Sequence, residues 1–479
     1  MKRIRACFVA LFRASRISLL LIWGGAVSGL RVLPILLGVG LPFLNLAGEG
    51  GRLLGQTVIE VTSGAQSETY SGDMSLSKLT DGTYTLNRAN TYTGGTTISG
   101  GTLEITNIGA LGTGAVTIGT GTKLKVSTTG ELAKTITGTG TLEYAATSNS
   151  GTVLTLTGDL SGFSGTITRT GGYAIVFNTA SSLSKTTVVG NWQEICFVDR
   201  GSAVDATVGM IIGNGILRPS TTGGTSIVVA VGNDADNSSA NHTFSGTVQD
   251  QKHNNTTLYT LGINKVGSNT WTLSGNNNSY TGATNVLEGV LELASGGRVT
   301  ASSITVHDGG TLKNAGTIAQ RVTVAEGGTY ASAGGTLTNG LTLEAGGILT
   351  GDYSGANITL QSGAVLKFDL DDLQAMDLTG AAFGDSLVVS LWADDAEALY
   401  GKSFDLFTTN ESQILEMVSL NTANAPGYVN WIASYLDGTF RILAGNPAST
   451  PEPGSWALLL FGCLYLFRRP IRRSPWGHL

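Results

Sequence analysis

Four near-identical phrases, Ile304-Thr305-Val306, Val322-Thr323-Val324, Leu341-Thr342-Leu343 and Ile358-Thr359-Leu360, begin 18, 19 and 17 residues apart. Each is followed by an acidic or polar pair and then Gly-Gly or Ser-Gly, as in Asp308-Gly309-Gly310 and Glu326-Gly327-Gly328. A second short strand follows, such as Gly310-Thr311-Leu312 or Ala364-Val365-Leu366. Apolar-Thr-apolar alternation turns both aliphatic side chains to one face and the threonine to the other. Repeating that phrase lets successive copies stack at about 4.8 Å, with the aliphatics forming inward ladders. Eighteen residues at about 3.3 Å each give a contour of roughly 60 Å, enough for one coil of a parallel β-helix and its turns. A β-sandwich also has short strands, but it does not require one phrase at a near-constant interval.

A longer unit contains the same rhythm. Asn90-Thr91-Tyr92-Thr93-Gly94-Gly95-Thr96-Thr97-Ile98 returns as Asn278-Ser279-Tyr280-Thr281-Gly282-Ala283-Thr284-Asn285-Val286. The register holds through Leu103-Glu104-Ile105 and Leu291-Glu292-Leu293, and on to Val116 and Ile304. A looser relative carries Phe163-Ser164-Gly165-Thr166-Ile167, and a shorter echo carries Phe244-Ser245-Gly246-Thr247-Val248. The stretch from Asn90 to Lys125 is expected to make about two coils, Tyr92 beginning one and Val116 the next. With 68 Gly and 13% charged residues, this predicts an all-β repeat fold.

The expected organisation is an export segment over 1–47, a β-solenoid body over 48–368, an acidic non-repeating β cap over 369–445, a linker over 446–450 and a sorting segment over 451–479. Lys2, Arg3, Arg5, Arg13 and Arg16 precede an apolar run from Ile17 to Val27, with small residues at Ala26-Val27-Ser28. Cleavage is expected after Ser28 or near Ala47, with a retained membrane anchor as the alternative. In the cap, Trp431-Ile432-Ala433 and Thr439-Phe440-Arg441-Ile442 are expected as its last strands, joined across Asp437-Gly438.

Charge is divided along the chain. The ends are basic, and between Gly48 and Thr450 there are 18 basic against 33 acidic residues. A body of that sign argues against nucleic acid as a partner. Cys7 and Cys463 lie in the terminal segments, leaving Cys196 as a buried small hydrophobe rather than half of a disulfide or metal pair.

The tail reads Pro451-Glu452-Pro453, twelve apolar residues from Trp456 to Phe467, then Arg468, Arg469, Arg472 and Arg473. It resembles the PEP-CTERM sorting signal, although its apolar run is short and Ser474 to Leu479 follow the arginines. The resemblance implies recognition by an exosortase-type membrane enzyme, a transient inner-membrane anchor formed by the terminal hydrophobic helix, and release or anchoring at the cell surface. The processing and sorting residues it implies are Pro451, Glu452, Pro453, Arg468, Arg469, Arg472 and Arg473. The Asn90–Ile98 stretch with Gly100-Gly101-Thr102-Leu103 resembles the autotransporter-associated, or passenger-associated, β-strand repeat, which implies a β-helical surface passenger. Nothing after Asp369 provides the ten-residue alternating strands of the membrane barrel that an autotransporter would add.

No GxSxG, HExxH, paired CxxC or P-loop pattern is present. His307-Asp308 is expected as an exposed corner pair, and Asp371-Asp372 as neighbours whose carboxylates diverge. Asn233-Asp234-Ala235-Asp236-Asn237 resembles the start of a calcium loop but lacks its closing residues. No cofactor is expected. Weak Ca²⁺ binding by the cap, with Asp371, Asp372, Asp377, Asp394, Asp395 and Glu397, is left open. Tyr92, Tyr280 and Phe163 either pack on the next coil or stack on sugars. The reading is an exported, non-enzymatic surface or matrix protein of a bacterial cell, with exopolysaccharide or neighbouring glycans as partners. The alternatives are a polysaccharide-active β-helix enzyme and a carbohydrate-binding matrix component.

Overall fold

Threonine-rich alternation produces parallel stacking along most of the chain. The computed structural model describes residues 56–147, 151–178, 183–192, 194–198, 205–220, 226–232, 242–253, 257–355, 357–425 and 429–445, with two short strands at 13–14 and 17–18 ahead of them. Apart from those two strands, the two ends, including the export segment and the sorting residues Pro451, Glu452, Pro453, Arg468, Arg469, Arg472 and Arg473, lie outside the described residues, as does Asn233–Asn237. Among the described residues, no helix is long and apolar enough to cross a membrane.

The architecture is a parallel β-solenoid of about 14 turns with almost no helix. In the first half, one ladder runs through Thr57–Val61, Met74–Lys78, Thr96–Ile98, Val116–Ile118 and Ile136–Gly138. A second runs through Thr83–Leu86, Thr102–Ile105, Lys123–Val126, Thr141–Tyr144 and Thr166–Arg169. A third face is built from Gly130–Leu132, Val153–Leu156, Ala174–Phe177, Glu194–Phe197, Ile216–Pro219 and Thr247–Val248. In the second half, the four phrases stack in register: Ile304 on Val322, Leu341 and Ile358, with Thr305, Thr323, Thr342 and Thr359 in one outward rank. The aliphatics of these ranks are buried, and the threonines are partly exposed.

The core is therefore a column rather than a sphere. Leu103, Leu124, Leu142 and Ile167 are successive rungs of one inward ladder, each at most 1% exposed. Aromatic rungs stack as well: Phe177 lies over Phe197 with ring centroids 4.9 Å apart. Tyr92, Tyr280 and Phe163 are all fully buried, so packing accounts for them. Val116 stacks on Thr96 rather than on Tyr92, so the Asn90–Lys125 unit covers slightly less than two full coils.

Past Asp369 the phrase ends but the stacking does not. Leu387–Trp392 pairs in parallel with Ala364–Asp369, and Val418–Asn424 with Leu387–Trp392. A ladder requires extended backbone and inward apolar residues, which Leu387, Val389 and Leu391 supply without the phrase. Antiparallel pairing then takes over: Thr439–Gly445 lies between Ser403–Thr408 and Asn430–Leu436, with Asp437-Gly438 as the hairpin turn, both at positive φ. Switching from parallel to antiparallel pairing stops the propagation of coils at this end.

Candidate functional site

The two copies of the long unit repeat a set of polar contacts as well as a backbone path. Asn90 and Asn278 are buried amides at a corner. Asn90 Oδ1 accepts from the Tyr70 amide at 2.8 Å while its Nδ2 donates to the Ala110 carbonyl at 2.7 Å. Asn278 likewise accepts from the Val248 amide and donates to the Arg298 carbonyl, both at 2.9 Å. The Tyr92 hydroxyl meets Thr96 Oγ1 at 2.5 Å, and Tyr280 meets Thr284 at 2.6 Å. Burial raises both phenols, Tyr92 to about 12. Glu104 pairs with Lys125 at 3.0 Å and Glu292 with Lys313 at 2.9 Å on the outer face. The Lys313 hydrogen bond is the main cause holding Glu292 below the ordinary carboxylate range.

Two further residues of this set, Lys78 and Lys265, stand in inward ranks yet are fully buried. Lys265 Nζ donates to the carbonyls of Val266 (2.8 Å), Gly267 (2.7 Å) and Glu288 (3.1 Å). Lys78 Nζ donates to Thr80 and Gly100 in the equivalent corner. Beside each, a glycine has positive φ: Gly101 at 60° and Gly289 at 64°. A Cβ there would lie 2.4 Å from the Gly82 carbonyl oxygen, or 2.3 Å from that of Gly267, so the corner closes only on glycine. Each repeated polar side chain named above has a partner within the scaffold.

Asp371 and Asp377 of the C-terminal region likewise have partners within the scaffold. Asp371 Oδ2 accepts from the Asp394 amide at 2.6 Å. Asp377 Oδ1 accepts from the Thr379 amide and the Thr408 hydroxyl, both at 3.0 Å, and the Thr379 contacts lead in lowering its pKa. Among the described residues, no group of three or more His, Cys, Asp or Glu is arranged to hold a metal ion. His307 Nε2 sits 3.3 Å from Asn285 Oδ1, with Asp308 exposed at the same corner.

A site that the sequence did not reveal lies on the outside of the third face. A cleft of about 310 Å³ is lined by Tyr173, Glu194, Cys196, Arg218 and neighbouring valines and neutral polar residues. Parallel register assembles it: Val176, Cys196 and Arg218 are consecutive rungs of one outward rank, with Ala174 beside Glu194 in the next. Arg218 Nη2 pairs with the Glu194 carboxylate and lies 3.4 Å from the Tyr173 hydroxyl. Burial is the largest single influence and works against the Arg218 charge, but Glu194, Cys196 and Tyr173 together outweigh it and raise the guanidinium pKa. The Glu194 hydrogen bond is the main cause raising the Tyr173 phenol. These residues are tens of positions apart in sequence and belong to different coils, so no local motif marks them.

Cys196 forms part of the wall, 5% exposed. Burial, with Glu194 nearby, pushes its thiol up to about 12. Reactivity belongs to the thiolate, so the native chain at about pH 8 is expected to leave Cys196 unmodified by an alkylating probe that labels it in denaturant. Peptide mapping checks this, separating Cys196 from Cys7 and Cys463; rapid native labelling would contradict the burial.

Two segments, 76–105 and 263–293, match the family model of the passenger-associated transport repeat. They contain the corner lysines and glycines and the Glu104 and Glu292 rungs described above. No curated protein matches the chain. Passenger-associated repeats on a β-helix fit an exported, passenger-type surface or secreted protein.

Proposed function

We propose that the chain is a non-enzymatic, exported scaffold or adhesion protein of the bacterial surface, delivered by its C-terminal segment through an exosortase-type system. The observation that carries the scaffold reading is the fate of the repeated polar residues. Asn278, Lys265 and Glu292 are all spent on holding one coil to the next, and Tyr280 braces Thr284, which itself meets Ser302 one coil on. Such a column extends by adding rungs and presents long outer faces to partners. In the cleft, Glu194 is the one carboxylate among the described lining residues and is tied to Arg218. Acid–base hydrolysis of glycosides uses two carboxylates across the bond, so the cleft favours binding over cleavage.

The delivery reading rests on Pro451-Glu452-Pro453, the apolar run and the four arginines. An apolar stretch followed by Lys/Arg holds its charged end in the cytoplasm, leaving the tripeptide at the outer boundary for processing. In a host with an exosortase-type system, mass spectrometry of the mature surface protein is expected to find a C-terminus upstream of Trp456. Replacing Arg468, Arg469, Arg472 and Arg473 by serine is expected to leave the precursor unprocessed. Mature surface protein ending at Leu479 would defeat the delivery claim and leave the scaffold claim standing.

A further inference from the structure

We propose that the outward cleft over Val153–Leu156, Ala174–Phe177, Glu194–Phe197 and Ile216–Pro219 is a binding site for a neutral pyranose sugar. The inference stands on the cleft alone and does not depend on how the tail is processed.

The first argument is charge. Glu194 and Arg218 are the only charged groups among the described lining residues, and they neutralise each other. An anionic ligand would have to compete with Glu194 for the guanidinium, and a cation with Arg218 for the carboxylate. A vicinal diol competes with neither: one hydroxyl donates to the carboxylate while its neighbour accepts from the guanidinium. Such charge-assisted contacts are the stronger kind of hydrogen bond.

The second argument is the rest of the lining. Thr155, Asn178, Ser220 and Gln251 contribute neutral hydroxyls and amides, while Val153, Val176 and Val198 contribute apolar surface. A pyranose has both characters, hydroxyls at its rim and C–H groups on its faces. The volume of about 310 Å³ lies at the small end for ligand sites, which suits one ring rather than a long enclosed chain.

The third argument is the rim. Tyr173, 37% exposed, enters from the corner before Ala174. Pairing of Ala174 with Glu194 sets Trp192, two residues before Glu194 and outside the lining itself, at the same corner one coil on. Trp192 is 81% exposed and has a φ of 61°, which a bulky residue rarely adopts; its amide is held by Asn214 Oδ1 at 3.0 Å. An outward aromatic kept in unfavourable backbone geometry points to a role outside packing. Two aromatics at one corner offer the apolar faces on which sugar C–H groups stack.

The test uses the full chain, with D-glucose, D-galactose, D-mannose and N-acetylglucosamine as probes and D-glucuronate as the charged control. Binding is read by calorimetry and by tryptophan fluorescence. At least one neutral sugar is expected to bind weakly, in about the millimolar range. Tyr173→Ala and Trp192→Ala are each expected to weaken it about tenfold, and Arg218→Met to remove it. Because Trp192 is exposed, Trp192→Ala should keep the wild-type circular dichroism and melting curve even if Arg218→Met does not fold. Silence with all four neutral sugars, binding of glucuronate alone, or neutral-sugar affinity unchanged in both folded aromatic variants would overturn the proposal.

Discussion

Trp271→Ala is expected to destabilise the middle of the solenoid by about 3–5 kcal/mol, the usual cost of emptying a large aromatic site. Trp271 is the largest fully buried side chain among the described residues, and it occupies an inward rung between His242 and Leu291. Its ring lies 6.5 Å from that of Phe244, and its Nε1 donates to the Ile211 carbonyl at 2.8 Å. That bond crosses between strands 60 residues apart in sequence. Alanine therefore leaves both a cavity and a buried carbonyl without its donor, and the second defect, about 1–3 kcal/mol by itself, places the total toward the upper end of that range. In a column where each coil touches only those close to it along the axis, the damage should stay local. Hydrogen exchange is expected to show lost protection in Ala206–Gly213, His242–Phe244 and Gly289–Leu293, while Ile304–Val306 through Ile358–Leu360 remain protected. Uniform loss along the whole chain would show that the fold melts as one unit, contrary to nearest-neighbour stacking.

The second half of the solenoid was legible in the sequence because its phrase maps one-to-one onto coils. Ile304, Val322, Leu341 and Ile358 are at once sequence repeats and stacked rungs. The stretch between the two long units was less legible for a physical reason. Leu183–Gly190 and Ala206–Gly213 are longer strands whose register shifts between Leu183 and Thr187, so spacing and coil lose their simple relation there. The cleft falls in that irregular stretch. Nothing local joins Tyr173, Glu194 and Arg218; what joins them is the pairing of Ala174 with Glu194 and of Glu194 with Ile216, which depends on loop lengths that no phrase records. The buried lysines were open to notice. Leu76-Ser77-Lys78 and Ile263-Asn264-Lys265 alternate like any other rung, and a charge on the inward rank of both copies marks an acceptor set inside.

Lys265→Met is expected to cost about 2–3 kcal/mol near pH 7, although it replaces a buried charge with an apolar chain of similar length. Two effects oppose each other. Burial penalises the ammonium and pushes its pKa from 10.5 down to about 8, an effect that methionine escapes. Against this, methionine leaves the carbonyls of Val266, Gly267 and Glu288 without their shared donor, at about 1–3 kcal/mol each. Three orphaned acceptors outweigh one relieved desolvation, so the substitution destabilises. The pH dependence separates the two effects. A folded pKa below the unfolded value means that, between about 8 and 10.5, the unfolded chain holds the proton that the folded chain has released. Stability from this group therefore rises with pH across that window and is lost as pH falls through about 8. Methionine has no such proton, so the gap in Tm between wild type and Lys265→Met is expected to widen from pH 7 to about pH 10. Subtracting the two melting series cancels the titration of the other lysines. A gap that narrows over that range, or a variant more stable than wild type at pH 7, would show that the corner does not rely on Lys265 as its donor.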